Sequence, residues 1–195
     1  MLTLCIDTSY RYLTCCLIRD NEIISSYSEE CFKKQSEEVF SALDRIFKLA
    51  GIKRQDIDSI CVSKGPGSYT GIRIAMTIAK VIGTTMDLSV YTISTLRLYA
   101  GNRKNCLVVM DARAGRVYCG LYDKEACLLE DQALPVSEVE VGDHEVIGDG
   151  GLFDLVDYYG DIADDFLQTK PYWEKVDEIA YLAPEYLKES ESYYR

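Results

Sequence analysis

Gly65-Pro66-Gly67-Ser68-Tyr69-Thr70-Gly71, running on through Ile72 to Arg73, is the segment of this sequence best equipped to hold an anion. Where a strand turns into a helix through a Gly-rich run, backbone N–H groups and the positive helix end can face a phosphate or carboxylate. The spacing matches neither established phosphate pattern. The third glycine comes one residue too late for G-x-G-x-x-G, and the Gly-Lys-Ser/Thr ending of a P-loop is absent. The competing reading is a tight turn in which Ser68 or Thr70 caps the helix that follows. Asp7 with Ser9, and Asp111 with Arg113, form a second candidate, since each aspartate ends an apolar strand-like run. Duplicated nucleotide-binding folds hold phosphate and metal at such strand ends. Asp7-Thr8-Ser9 lacks the glycine that lets a backbone approach a phosphate closely, and Arg113 can neutralise Asp111. Both are read as degenerate nucleotide loops.

Sulfur and imidazole chemistry is poorly supported. Of eight cysteines, Cys5, Cys15, Cys16, Cys61, Cys106 and Cys119 sit inside apolar runs and read as small buried hydrophobes. There is no Cys-x-x-Cys, and His144 is the sole histidine. A closed zinc site needs four ligands, so no metal is expected, and a metallopeptidase lacks its His-x-x-x-His pair.

The elements that must position these residues follow from periodicity. Residues 2–8, 12–18 and 23–27 are three short apolar runs joined by tight connections, a β-meander. From Ser36, the expected N-cap, the period becomes helical through Val39, Phe40, Leu43, Ile46, Phe47 and Ala50, and Gly51 stops it. A strand over 58–63, the Gly-rich turn, a helix to about Met86, a strand over 89–93 and a helix capped by Ser94 complete the order β-β-β-α-β-α-β-α. Such an order predicts a mixed sheet flanked by helices.

The pattern then starts again. Sliding the sequence by 104 residues lays Asp7 on Asp111, Leu13 on Val117, Cys15 on Cys119 and Leu17 on Leu121. The repeat continues through 107–111, 116–122 and 125–130. It then degrades into a short helix near Val136, a strand near Val146, the Gly148-Asp149-Gly150 triplet and a helix predicted over 152–158. We therefore expect a duplicated α/β chain with lobes over 1–103 and 104–195, the second abbreviated. Residues 1–137 carry 17 Lys and Arg against 16 Asp and Glu, whereas residues 138–195 carry 4 against 16. An acidic surface of that kind repels a phosphate backbone, which argues against tight nucleic-acid binding by this chain alone. No stretch approaches the roughly 20 apolar residues of a membrane span, and an early carboxylate at Asp7 disfavours a signal peptide, so a cytoplasmic protein is expected.

The helix after the Gly-rich turn carries only Arg73 and Lys80 as charges between Ile72 and Met86. An all-round apolar helix needs cover on more than one face. Gly71, Ala75, Ala79 and Gly83 form a row of small residues at i, i+4 spacing, a groove for another helix. The row can equally pack on the helix over 36–50 of the same lobe, and the two readings are compatible. If the groove serves a partner, enlarging Ala75 or Ala79 should abolish association and leave the monomer folded.

Taken together, C-I-D-T-S, K-K-Q-S-E-E-V-F, G-P-G-S-Y-T-G-I-R-I, M-D-A-R-A-G-R-V-Y, G-D-G and A-P-E-Y-L-K resemble the TsaB (YeaZ) family across residues 2 to about 188. That resemblance implies two ribonuclease-H-like lobes of the actin-like, sugar-kinase-like class. It further implies a non-catalytic role in forming threonylcarbamoyladenosine beside the anticodon of tRNAs that read codons starting with adenine. The partner would be a TsaD-like, metal-bearing transferase, with a TsaE-like ATPase joining the assembly and tRNA met only through the complex. No cofactor is implied to bind tightly, while ATP or ADP at the partner interface is left open. The family's heterodimer or homodimer face would here be Val39, Phe40, Leu43 and Phe47 with Gly71, Ile72, Ala75, Met76, Ala79 and Gly83. Gln35 stands where relatives commonly carry histidine, so no role of that histidine transfers. An independent ATP-dependent kinase and a self-associating module unconnected with tRNA are the rival readings.

Overall fold

The computed structural model describes residues 1–31 and 33–187; Lys188, the end of A-P-E-Y-L-K, lies outside the described residues. Strands β1 (Leu2–Asp7), β2 (Tyr12–Arg19) and β3 (Glu22–Glu30) form the antiparallel meander, and helix α1 (Gln35–Ala50) crosses over to β4 (Ser59–Ser63). The chain then passes through α2 (Tyr69–Met86), β5 (Ser89–Ile93) and α3 (Thr95–Ala100). Every residue of β1 is buried, as a strand flanked on both edges and covered on both faces requires. β4 lies parallel to β1, and β5 parallel to β4.

The second lobe repeats this plan. Strands β6 (Cys106–Arg113), β7 (Arg116–Asp123) and β8 (Ala126–Pro135) form a second meander, and β9 (Glu145–Gly148) lies parallel to β6. The sheet orders make the equivalence explicit. β3-β2-β1-β4 in one sheet corresponds to β8-β7-β6-β9 in the other. Where α1 bridges β3 and β4, only a 3-10 turn at Val136–Glu138 stands between β8 and β9, so the copy is abbreviated at its crossover. The chain then returns: β10 (Glu174–Lys175) pairs antiparallel with β5 on the edge of the first sheet.

Three cores result. One lies between the first sheet and α1 and α2, one between the two sheets around α3 and α4 (Ile162–Gln168), and a small one on the outer face of the second sheet.

Four sequence expectations need correction. First, residues 152–158 are not a helix. A 3-10 turn at Gly150–Phe153 ends at Asp154 in the left-handed region (φ 59°), and Tyr158 comes back to bond Gly148 in both directions. The local helix is instead α4, capped by Asp161, which accepts from the N–H groups of Ala163 and Asp164. Second, Ser36 is not the N-cap of α1 but its second residue: the helix begins at Gln35, Lys34 stands at the N-cap with no side-chain capping bond, and the Gln35 amide turns inward to donate to the Tyr10 carbonyl at 2.8 Å.

Third, the 104-residue slide preserves faces on only one strand pair. Leu13, Cys15 and Leu17 of β2 face the helix-side core, and Val117, Cys119 and Leu121 of β7 face the corresponding outer core. On β1, Leu4 and Ile6 face the helix side, but the residues the slide assigns them, Val108 and Met110, face the inter-lobe core. Side chains alternate along a strand, so a one-residue slip reverses every one of them. The irregularity between Asp111 and Arg113 supplies the extra residue. Asp7's place in the alternation therefore falls to Met110, and Asp111 is exposed.

Fourth, the small-residue row of α2 faces its own lobe. Ala75 and Ala79 are fully buried; a Cβ on Gly71 would strike the Thr8 carbonyl, and one on Gly83 would lie 2.5 Å from Val90 Cγ2. Val39, Leu43, Phe47, Ile72 and Met76 are likewise buried in this core. Of the ten residues proposed for a partner interface, Phe40 alone is exposed, at 64%. Large substitutions at Ala75 or Ala79 thus damage the monomer first. The second cover that an all-round apolar helix needs comes from the chain itself. Leu182 is buried with Ile179 beside it in the same core, Lys80 Nζ donates to the Ala180 carbonyl at 3.2 Å, and Tyr186 stacks on Tyr69 with centroids 5.3 Å apart. The large hydrophobics that stay exposed on the two helices are Phe40 and Leu49 of α1 and, on α2, Val81 and part of Tyr69.

Candidate functional site: the cleft between the lobes

Asp7 lies at the end of β1, fully buried, between the lobes. Its carboxylate accepts from the Ser9 N–H at 3.0 Å, from Ser63 Oγ at 2.5 Å and from the Tyr99 hydroxyl at 3.0 Å. Three donors from β4, α3 and the following turn leave the charge fully hydrogen-bonded by protein, as a buried carboxylate must be.

The Gly-rich turn is spent in the same way. The Ser68 N–H donates to the Ser9 carbonyl at 2.7 Å, and Ser68 Oγ caps α2 by accepting from the Gly71 N–H at 3.2 Å. Thr8 Oγ1 donates to the Gly71 carbonyl at 2.6 Å and accepts from the Ala75 N–H at 3.2 Å. Glycine is demanded by proximity: at Gly67 a Cβ would meet the Ser9 carbonyl, and at Gly71 the Thr8 carbonyl. Thus D-T-S and G-P-G-S-Y-T-G, joined through Thr8 and Gly71 at a separation of 63 residues, form one clasp, with Ser68 rather than Thr70 as the cap. Arg73 points away, bonded to the Tyr69 hydroxyl at 2.5 Å.

Across the cleft, Asp149 of the G-D-G triplet is the counterpart acceptor. It is 2% exposed and accepts from the hydroxyls of Tyr10 and Tyr159, from the Asp111 N–H at 2.6 Å, and pairs with Arg11 at 3.0 Å. Burial first, then the adjacent Asp149 carboxylate, push the phenols of Tyr10 and Tyr159 far above their ordinary range, so both stay protonated donors. Tyr12 and Tyr99 pack on the Tyr159 ring with centroids 5.4 and 6.4 Å away, and the Arg11 guanidinium lies 5.8 Å from the same ring. The cleft is therefore filled by tyrosines. Asp111 accepts from the Arg113 N–H at 2.7 Å, and Arg113 stands exposed in the left-handed region (φ 61°), where a non-glycine residue is strained.

Of the residues expected at a site, Asp7, Ser9 and the Gly-rich turn come together; Asp111 and Arg113 lie across the cleft and belong to the second lobe. Sequence reasoning missed Tyr10, Arg11, Tyr99 and Tyr159, which are scattered singly along the chain. The G-D-G triplet was the one local signal for Asp149. Nucleophilic sulfur is not on offer here. Cys5, Cys15 and Cys16 are fully buried with thiols pushed well above the ordinary range, for Cys5 and Cys15 chiefly by burial and for Cys16 chiefly by its bond with Cys5. His144 is engaged with Asn105 at 2.6 Å, and among the described residues no three of His, Cys, Asp and Glu are grouped as a metal site requires. No described helix is long and apolar enough to cross a membrane.

Solved structures share this fold. An uncharacterised protein similar to the peptidase YeaZ and a protein named YeaZ, both from Pseudomonas aeruginosa, superpose with TM-scores of 0.79 each, over 96% and 95% of this chain and 99% of theirs, at 21% and 22% identity. In sequence, the chain is 35% identical over 147 residues to a protein of Bacillus subtilis named tRNA threonylcarbamoyladenosine biosynthesis protein TsaB, a match covering 73% of this chain and 64% of that one. The Escherichia coli protein of the same name is 30% identical over 131 residues, 64% of this chain and 56% of its own length. The match thus spans less than two thirds of either relative. A family model described as TsaD, tRNA N6-adenosine threonylcarbamoyltransferase, matches residues 21–140. With more than half of its residues inside that model and its named relatives called TsaB, this chain belongs to the TsaD family, in the company of the TsaB (YeaZ) proteins.

Proposed function

We propose that this chain is a non-catalytic subunit of the apparatus that forms threonylcarbamoyladenosine on tRNA, acting on a TsaD-like transferase rather than performing chemistry itself. The names of its sequence relatives support the pathway. The observation that carries the non-catalytic reading is that both buried carboxylates of the cleft are engaged by protein groups. Both carboxylates that could serve a nucleotide and its metal, Asp7 and Asp149, are already bonded to Ser63, Tyr99, Tyr10, Tyr159 and Arg11. A nucleotide would have to displace these bonds and a packed aromatic cluster, each buried donor or acceptor left unpaired costing about 1–3 kcal/mol.

The docking face on this reading takes in the exposed apolar side chains Phe40 of α1 and Val81 of α2. It serves a TsaD-like subunit in the assembly and a second copy when the chain is alone. A TsaE-like ATPase joins the complex, ATP or ADP binds at a subunit boundary, and tRNA is met only through the assembly, in the cytoplasm. The experiment is light scattering after gel filtration of the chain mixed with the TsaD-like protein of the same source. A heterodimer is expected, weakened about tenfold or more by Phe40→Asp or Val81→Asp, since central apolar anchors dominate interfaces. Neither variant should change the circular dichroism melt, because both side chains are exposed. No association under any nucleotide or tRNA condition sinks the proposal, and stoichiometric nucleotide binding by the isolated chain favours the kinase instead.

A further inference from the structure

Residues 138–169 hold ten carboxylates and no Lys or Arg. Two of the ten are buried and each is matched by an arginine from elsewhere, Asp149 by Arg11 and Asp165 by Arg103. The other eight are exposed, Asp154, Asp157, Asp161 and Asp164 among them. Within this acidic surface stand Leu155, Val156 and Tyr158, which are 47%, 86% and 55% exposed, and Val156 is the most exposed large hydrophobic among the described residues.

These side chains are presented by a fixed scaffold. The Leu155 N–H donates to the Gly150 carbonyl at 3.0 Å, the Gly151 N–H to Asp157 Oδ1 at 2.8 Å, and Tyr158 exchanges two backbone bonds with Gly148 at 2.6 and 3.0 Å. Gly150 admits the close pass, since a Cβ there would lie 2.5 Å from the Val156 carbonyl. Asp157 is further held by Arg11 at 3.9 Å. An apolar tip that is already ordered loses little conformational entropy on binding, and an exposed apolar patch within a polar rim marks an interaction surface.

We propose that the loop of residues 154–158 is a second docking surface, separate from α1 and α2, whose occupant is a protein surface with an apolar socket rimmed by Lys and Arg. Charge selects that occupant. Nucleic acid is repelled by the same carboxylates that attract a basic protein. A second copy of this chain offers no complementary field, because residues 1–137 balance 17 Lys and Arg against 16 Asp and Glu. The inference rests on the accessory-subunit reading for the identity of its probes.

The test titrates the chain with the purified TsaD-like and TsaE-like proteins by fluorescence anisotropy at about 50 and about 500 mM salt. Wild type is compared with Val156→Asp, with the pair Asp154→Asn and Asp164→Asn, and with Phe40→Asp. Asparagine tolerates the left-handed backbone at position 154, so the pair removes charge and keeps the loop. Val156→Asp should weaken one of the two associations about tenfold or more. That association should be the more salt-sensitive one, should also weaken in the double Asn variant, and should survive Phe40→Asp. Wild-type affinities for both proteins in a correctly folded Val156→Asp chain overturn the proposal. If neither protein binds the wild-type chain, the accessory-subunit reading falls and this surface with it. The two failures are distinct, since the first leaves the Phe40-dependent complex intact.

Discussion

Asp7 shows how a residue type alone misleads. A carboxylate at the end of the first strand looks available for metal or phosphate chemistry, yet its oxygens are consumed by Ser9, Ser63 and Tyr99. Tyr99→Phe removes one of these donors from a buried charge and should cost about 1–3 kcal/mol in urea unfolding; an unchanged midpoint would mean that water replaces the hydroxyl. Asp165 behaves differently. Burial pushes its carboxyl up to about 7 although Arg103 stands 2.8 Å away and pulls it down, and its Oδ2 has no partner in the fold. The native state therefore binds this proton more tightly than the unfolded chain, whose aspartates titrate near 3.9. Asp165 then favours folding most below about pH 4 and progressively less as pH rises toward 7, a span on the order of a few kcal/mol. Asp131, raised by burial as well, adds a contribution of the same sign. Asp165→Asn keeps an acceptor for Arg103 and loses the charge, so its stability relative to wild type should climb between about pH 5 and pH 8. A constant difference across that range refutes the assignment. Nothing in the sequence around Asp165 distinguished it from its exposed neighbours Asp161 and Asp164, because what sets it apart is an arginine 62 residues away.

At the scale of elements, α1, α2, α3 and strands β1 to β9 were legible because periodicity is a local signal, whereas the two-residue β10 carries none and the cap expected at Ser36 did not form. Ser68 and Ser94 both cap as their positions suggested. What was not legible was which face of α2 meets which neighbour. A row of small residues fits a foreign helix and a close-packed sheet equally well, and here the Thr8 carbonyl and Val90 occupy the groove. Ala79→Leu should accordingly lower stability by about 1–3 kcal/mol through overpacking, read as a fall in melting temperature before any assay of association. A normal melt with lost association would restore the partner-facing groove. The short α4 escaped notice because seven residues offer too few turns for a periodic pattern, and the 152–158 run imitated one until Asp154 turned left-handed.

For the whole molecule, the repeat was visible in sequence and its symmetry was not. Strand order and direction recur between the sheets, but the extra residue between Asp111 and Arg113 shifts β6 by one, so the two strand-end aspartates are not equivalents. The inter-lobe core is continuous through α3 and α4, and the segment after α4 returns to the first sheet. The lobes should therefore unfold together. Fluorescence of the single tryptophan, Trp173, which packs 6.2 Å from Tyr91 where the chain rejoins that sheet, should track circular dichroism in one coincident transition. Two separated transitions would show that the lobes are independent.

That return carries a consequence for biosynthesis. β10 and residues 176–187 finish the edge of the first sheet and cover α2, yet they are translated after all four strands of the second. While the ribosome is still making β6 to β9, the first lobe waits with Ile179 and Leu182 missing from its core and an apolar helix half bare, the condition in which nascent chains engage chaperones. The lobe synthesised first is the one completed last.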